Sequence, residues 1–292
     1  MADPLAVQLR FGLYGVLGLL FGLLAFRQYA PAHKAAEGGF RALAGLAAIG
    51  VLLSGLALFE LAGRMHGLTL ANVSVNEVAT ILTLPGVGSA FSVRIAALLL
   101  AMVLLLRRGG GLLALAFAGT ALISLAWQGH AGATDGRSGL LHLVATALHL
   151  LAAGIWLGAL TALLHIAMRA ARSDLELSHF STALTRFHGV GIAVVATLAV
   201  TGSTAFFIIA GSPLSASAFQ SQWWWLMSGK LLAFFCMLAL AAANRFWLAP
   251  VLAAGHPRGV QSIKTTIVFE LVLAITILAL VAWLGLLAPY PG

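Results

Sequence analysis

Residues 141–160 read LHLVATALHLLAAGIWLGAL. These twenty positions hold no Asp, Glu, Lys or Arg, and their apolar residues show no alternation of period two. A helix needs ~20 predominantly apolar residues to cross a hydrocarbon core of ~30 Å. Barrel strands are shorter, ~10 residues, and alternate. The stretch therefore reads as the heart of a membrane-crossing helix. His142 and His149 sit seven positions apart within it, and Trp156 follows after seven more. Two helical turns nearly restore the angle, so the three share one stripe.

The rest of the chain is of the same kind. Hydrophobic residues make up 61% of the 292 positions and charged residues only 8%, against about 25% charged in a soluble domain. Such a chain cannot cover a water-facing surface. Apolar runs fall at about 9–26, 41–61, 88–106, 111–127, 140–165, 184–210, 223–248 and 265–287. The expected fold is an all-α integral membrane protein of eight transmembrane helices, a single domain over 1–292. The first run is too long, and too lacking in a cleavage-like end, to be a removable signal peptide. Cys236, the single cysteine, excludes an internal disulfide and any Cys-x-x-Cys metal site.

Positively charged loops stay cytoplasmic, and the odd-numbered loops hold Arg27, Lys34, Arg41, Arg107, Arg108, Arg169, Arg172, Arg258 and Lys264. The even-numbered loops hold only Arg64 and Arg137. Both termini are therefore expected in the periplasm, and the net charge of +8 is a topology signal rather than a nucleic-acid footprint. Trp223, Trp224 and Trp225 would start span seven as part of an outer aromatic belt. In loop two, Ser74-Val75-Asn76-Glu77 reads as a capping box opening a short outer-surface helix, VATILTL, which Pro85 and Gly86 end.

Ionisable residues inside lipid are costly and take paired or functional roles. Glu60 and Arg94 fall near the outer ends of their spans and Arg245 and Glu270 towards the inner ends of theirs, so each couple is a candidate ion pair. Lys230 is expected to snorkel to the outer interface. Histidine carries the sharper signal. His130, in WQGHAGA at the end of span four, and His142 form an expected outer metal station, with His149 a deeper one. Seven residues rise ~10 Å on a helix, so His142 and His149 cannot chelate one ion together. Small residues (Ala145, Ala152, Ala153, Gly154, Gly158) share the region and allow close approach of another helix. Imidazole suits copper, zinc, iron and nickel, and a thioether adds preference for Cu(I). Met65-His66 is a further candidate donor pair, and His188 a candidate inner station. Packing or surface roles are the alternative for each of these residues.

At these residues the sequence resembles the copper resistance protein D family (CopD/PcoD). The segments that carry the likeness are VATILTLPGVGSAFSVR at 78–94, GHAGA at 129–133 and 141–160. Two more are SGKLLAFFCMLALAAANRFWLAPVL at 228–252, which includes Asn244, Arg245 and Pro250, and FELVLAITILALVAWLGLLAP at 269–289. The resemblance covers nearly the whole chain, with a copper-resistance-D-like region at about 184–288, and implies an inner-membrane protein that moves copper ions from periplasm to cytoplasm. It also implies a separate periplasmic copper-binding chaperone as partner, since the chain shows no fused copper-binding domain. No Walker-type glycine loop is present, so neither an ATP-driven pump nor any other enzyme is expected. Inward cation movement gains ~2.3 kcal/mol per charge per 100 mV. Two rival readings stay open. One is a b-type haem electron carrier with two axial histidines at equal depth. His149 and His188 differ in depth by ~12 Å, which leaves His130 and His142 as the better-matched pair. The other is a membrane partner of the chaperone that does not itself transport.

Overall fold

The computed structural model of the chain describes residues 3–30, 37–108, 111–129, 132, 136–170, 173–210, 221–254 and 259–287. All regular elements among them are helical: α1 (Pro4–Tyr29), α2 (Glu37–His66), α3 (Val75–Thr83), α4 (Val87–Leu106), α5 (Gly111–Ile123), α6 (Gly136–Ala170), α7 (Asp174–Ala210), α8 (Gln222–Ala243), α9 (Ala249–Ala253) and α10 (Gly259–Leu284). Short 3-10 turns lie at Leu70–Asn72 and Ser124–Gln128. Eight of the helices are long and apolar enough to cross a membrane, α5 with its 3-10 turn and α8 with its continuation to Leu252. The eight-helix membrane fold is as expected. Helices α6 and α7 outrun their apolar runs, because a helix propagates cooperatively into polar sequence once formed.

Local chemistry sets the helix ends. Asp3 caps α1 by accepting from Leu5 N–H at 2.9 Å, with Pro4 in the first turn, where no N–H is needed. Ser74 and Glu77 form the expected capping box of α3, with Ser74 N–H donating to Glu77 Oε2 at 2.7 Å. Gly86, at φ +77°, makes the left-handed turn into α4. Ile81 of α3 is buried against Leu58, Ala62 and Phe91, which holds this short helix across α2 and α4.

Helix α1 is the hub. Its Leu13, Leu17, Leu20 and Leu24 pack with α2, α4 and α5 in one core, while Phe26 joins a second core built on α6, α7, α8 and α10. Where α1 crosses α6 the contact is backbone on backbone. A Cβ on Gly22 would lie 1.9 Å from the Gly154 carbonyl oxygen, and one on Gly158 would lie 2.1 Å from the Gly22 carbonyl carbon. This is the close approach that Gly154 and Gly158 led one to expect.

The two ends of the bundle are identified by contacts. Arg10 donates to the carbonyls of Gly285, at 2.7 Å, and of Gln128, so the first turns of α1, the end of α10 and the turn after α5 share one face. This is called the terminal face below. Arg186 donates to Tyr29 O at 2.9 Å on the opposite, loop face. The expected aromatic belt is corrected in part. Trp223 is 1% exposed and stacked on Phe206, and of the three tryptophans only Trp225 stands fully outward.

Candidate functional site

The polar groups of the bundle fall into three tiers along its axis. At the terminal face a cavity of about 290 Å³ lies between α1, α2, α4 and the Ser124–Gln128 turn, with Arg10, Glu60, Arg64 and Gln128 among its walls. Neither expected ion pair forms. Glu60 pairs with Arg64, one turn on along α2, rather than with Arg94. Arg94 is fully buried, donates from Nε to Ser124 at 3.0 Å and from Nη1 to Gln128 Oε1 at 3.2 Å, and lies over the Phe91 ring. The reason is geometric: an i,i+4 partner is adjacent on any helix, whereas Arg94 turns towards α5. Gly129 and Gly132 line the same cavity. His130, between them in sequence, lies outside the described residues.

Met65 and His66, at the last turn of α2, are exposed, and His66 Nδ1 donates to Ala62 O at 3.0 Å. His142, near the start of α6, is 2% exposed. His149 lies two turns deeper on the same stripe. Among the described residues no group of three or more His, Cys, Asp or Glu side chains is placed to hold one ion. The described histidines among the candidates, His66, His142 and His149, form no such group.

His149 has the most informative surroundings. Its Nδ1 lies 2.9 Å from the hydroxyl of Thr201 on α7, and that hydroxyl donates its single proton to Thr197 O at 2.6 Å. With that proton on Thr197 O, the hydroxyl accepts from the ring and Nδ1 carries the hydrogen. In the neutral ring Nε2 then bears the lone pair, and it has no hydrogen-bond partner among the described residues. This is the arrangement by which an outer partner fixes a metal-binding imidazole. The ring packs over Gly202 of α7, where an added Cβ would meet His149 Cε1 at 3.4 Å. Lys230 on α8 is half-buried and close enough for its charge to act on His149. The position facing His149 on α7 is a threonine, which leaves no axial partner there for a haem.

The third tier lies below Trp156. Glu270 of α10 is 2% exposed and accepts from Asn244 Nδ2 at 2.5 Å, while Thr266 donates to Asn244 Oδ1. The Trp156 indole N–H, buried at 5% exposure, approaches Glu270 but has no well-formed hydrogen bond. The expected Arg245–Glu270 pair is absent: Arg245 donates to His188 O at 3.4 Å and lies beside the Phe246 ring. A turn of π-helix lies at Asn244–Leu248, where Ala249 N–H reaches back to Asn244 O. Pro250 has no N–H for the carbonyl four residues back, and its ring pushes that carbonyl away, which widens the turn. Asn244 faces Glu270, and Arg245, the next residue, lies about 100° further round the helix, towards α7. π-Turns of this kind recur at functional sites.

Thr201, Gln128 and Ser124 were not legible as site residues, since a lone Thr, Gln or Ser in an apolar run carries no spacing signal. The hydroxyl one turn after Thr197 on α7 was the one available hint.

Comparison with known proteins agrees with this architecture. Residues 1–140 match the family described as copper resistance protein D-like, N-terminal domain, and residues 181–284 match copper resistance protein D. A protein named copper resistance protein D from Pseudomonas syringae pv. tomato is 33% identical over 305 aligned positions, covering 99% of this chain and 98% of the relative. No solved structure matches the chain. With both segments and nearly the full length accounted for, the chain belongs to the copper resistance protein D family and has a role in copper resistance or handling.

Proposed function

We propose that the protein carries copper ions across the bacterial inner membrane, from the periplasm at its terminal face to the cytoplasm at its loop face. His149 is the central station. The observation that carries the reading is the Thr201-fixed His149 ring, with a free Nε2 inside a membrane bundle. His142, one ~10 Å step closer to the terminal face, precedes it. His130, with the exposed Met65 and His66, receives the ion at the entrance. The charged cavity walls, Arg10 and Arg64 against Glu60, sum to one positive charge and do not attract a bare cation. Delivery by ligand exchange from a periplasmic copper-binding chaperone fits that charge better than diffusion from bulk.

The nearby Lys230 charge opposes long residence of a cation at His149. A conducting site has to bind strongly enough to load yet weakly enough to empty, so this repulsion suits transit rather than storage. The membrane potential contributes ~2.3 kcal/mol per charge per 100 mV for inward movement, and no chemical step on the chain is needed. Replacing His149 with Ala is expected to abolish copper uptake by cells while leaving membrane insertion intact. Unchanged uptake would remove His149 from the route.

A further inference from the structure

We infer that Glu270 is an exchangeable proton site whose proton is released when a copper ion occupies the His149 station. The inference rests on the transport reading above. It concerns a residue that reading does not use.

Glu270 lies at 2% exposure with one amide donor, Asn244, and among the described residues no Lys, Arg or His comes within ion-pair distance of it. A carboxyl so placed either keeps a proton or depends on a positive charge nearby. Its surroundings provide for both states. In the structure Asn244 donates to Oε1 and the Trp156 N–H has no well-formed hydrogen bond, an arrangement a neutral acid tolerates. With the acid ionised, the same indole N–H is in place to donate to the carboxylate, which then has two donors. An unfilled buried donor beside a buried acid is what a site that must accommodate proton loss requires. The π-turn at Asn244–Leu248 fixes Asn244 in that position, and Thr266 holds its far end.

The link to copper runs down α6. Trp156, against Glu270, is two turns from His149 on one stripe, ~10 Å along the axis. Two unit charges at ~10 Å and an effective dielectric constant of ~20 change each other's binding by roughly tenfold. The coupling is reciprocal: a cation at His149 favours the ionised Glu270, and a protonated Glu270 weakens cation binding. Charge and electrons balance, because Cu(I) enters, one proton leaves the Glu270 carboxyl for water, and no oxidation state changes. The helices of this core carry Lys230 on α8, Arg245 at the π-turn, His149 on α6, His188 on α7 and Lys264 on α10, none within ion-pair distance of Glu270, and Arg27 of α1 is turned to Phe40 of α2. Of these, Lys230 is the other group able to surrender a proton to an arriving cation.

Infrared difference spectra of the full-length protein in lipid nanodiscs, before and after addition of Cu(I) alone, separate the two. Loss of a protonated-carboxyl band on copper loading, absent from Glu270→Gln, is expected. Over the pH range in which that band disappears, Cu(I) affinity should rise about tenfold in the wild type and stay flatter in Glu270→Gln. Gln preserves volume and still accepts from Asn244. If the variant does not fold, the wild-type band and its response to Cu(I) decide the matter alone. Copper bound, by metal analysis, with the carboxyl band unmoved overturns the coupling and spares the transport reading. A protein that takes up no Cu(I) overturns both.

Discussion

Arg94, in the first half of the bundle, and His149, in the second, are both polar side chains held within membrane-crossing helices, yet they are treated differently. Arg94 is tied to Ser124 and Gln128 and covered by Phe91, and only its Nη2 lacks a partner. It fixes α4 against α5. His149 is held through one nitrogen and left open at the other. A buried group held on most sides sets packing, whereas one held on a single side and open on the other is prepared for a ligand. The same contrast separates Glu60, closed on Arg64, from Glu270, which faces an unfilled indole donor.

The largest expected effect tests the packing side of this contrast. Arg94→Ala leaves Ser124 and Gln128 without their donor and opens a void, which should cost about 3–5 kcal/mol of stability. Arg94→Met, apolar and of similar length, should cost far less. Thermal unfolding in detergent measures both, and copper uptake per folded molecule should be unchanged in the Met variant. If Arg94→Met folds normally but fails in uptake, Arg94 belongs with His149 and the contrast collapses.

Next in size is the partner of His149. Thr201→Val keeps the shape and removes the acceptor for Nδ1–H. Loss of such an outer partner typically weakens metal binding 10–100-fold, at a stability cost of about 1 kcal/mol. A copper titration of the purified variant measures the first, and an unaltered dissociation constant would show that Thr201 does not orient the ring for metal.

The smallest effect lies outside the membrane. Glu77 in the α3 capping box is held below the ordinary glutamate range, first by the Ser74 hydroxyl and then by the Ser74 backbone N–H. A lowered folded-state value means its contribution is complete above the unfolded value of 4.5 and is lost as pH falls below that. The protection of the α3 amides, their exchange rate set against the intrinsic rate at the same pH, should fall only in that acidic range and should stay constant there in Glu77→Gln.

Much of the fold was legible because the physics behind it is one-dimensional. Eight apolar runs, the Ser74–Glu77 cap, the Gly86 turn and the glycine stripe at Gly154 and Gly158 each follow from spacing along the chain. The side-chain pairs were not, since Glu60 and Arg94 share a depth but not a facing direction, and depth is all that counting yields. The Arg245–Glu270 couple failed for the same reason: Asn244 occupies the position facing Glu270, and its neighbour Arg245 points about 100° away. On the site, the His142–His149–Trp156 stripe was readable, but Thr201, which makes His149 chemically distinctive, required a neighbouring helix.

The most direct measurement is the copper content of purified wild-type and His149→Ala protein after loading with Cu(I) and removal of excess ion. The account predicts copper retained by the wild type and at least tenfold less by a variant that elutes as the same folded species. Equal copper in both would contradict it, and would remove His149 as a station.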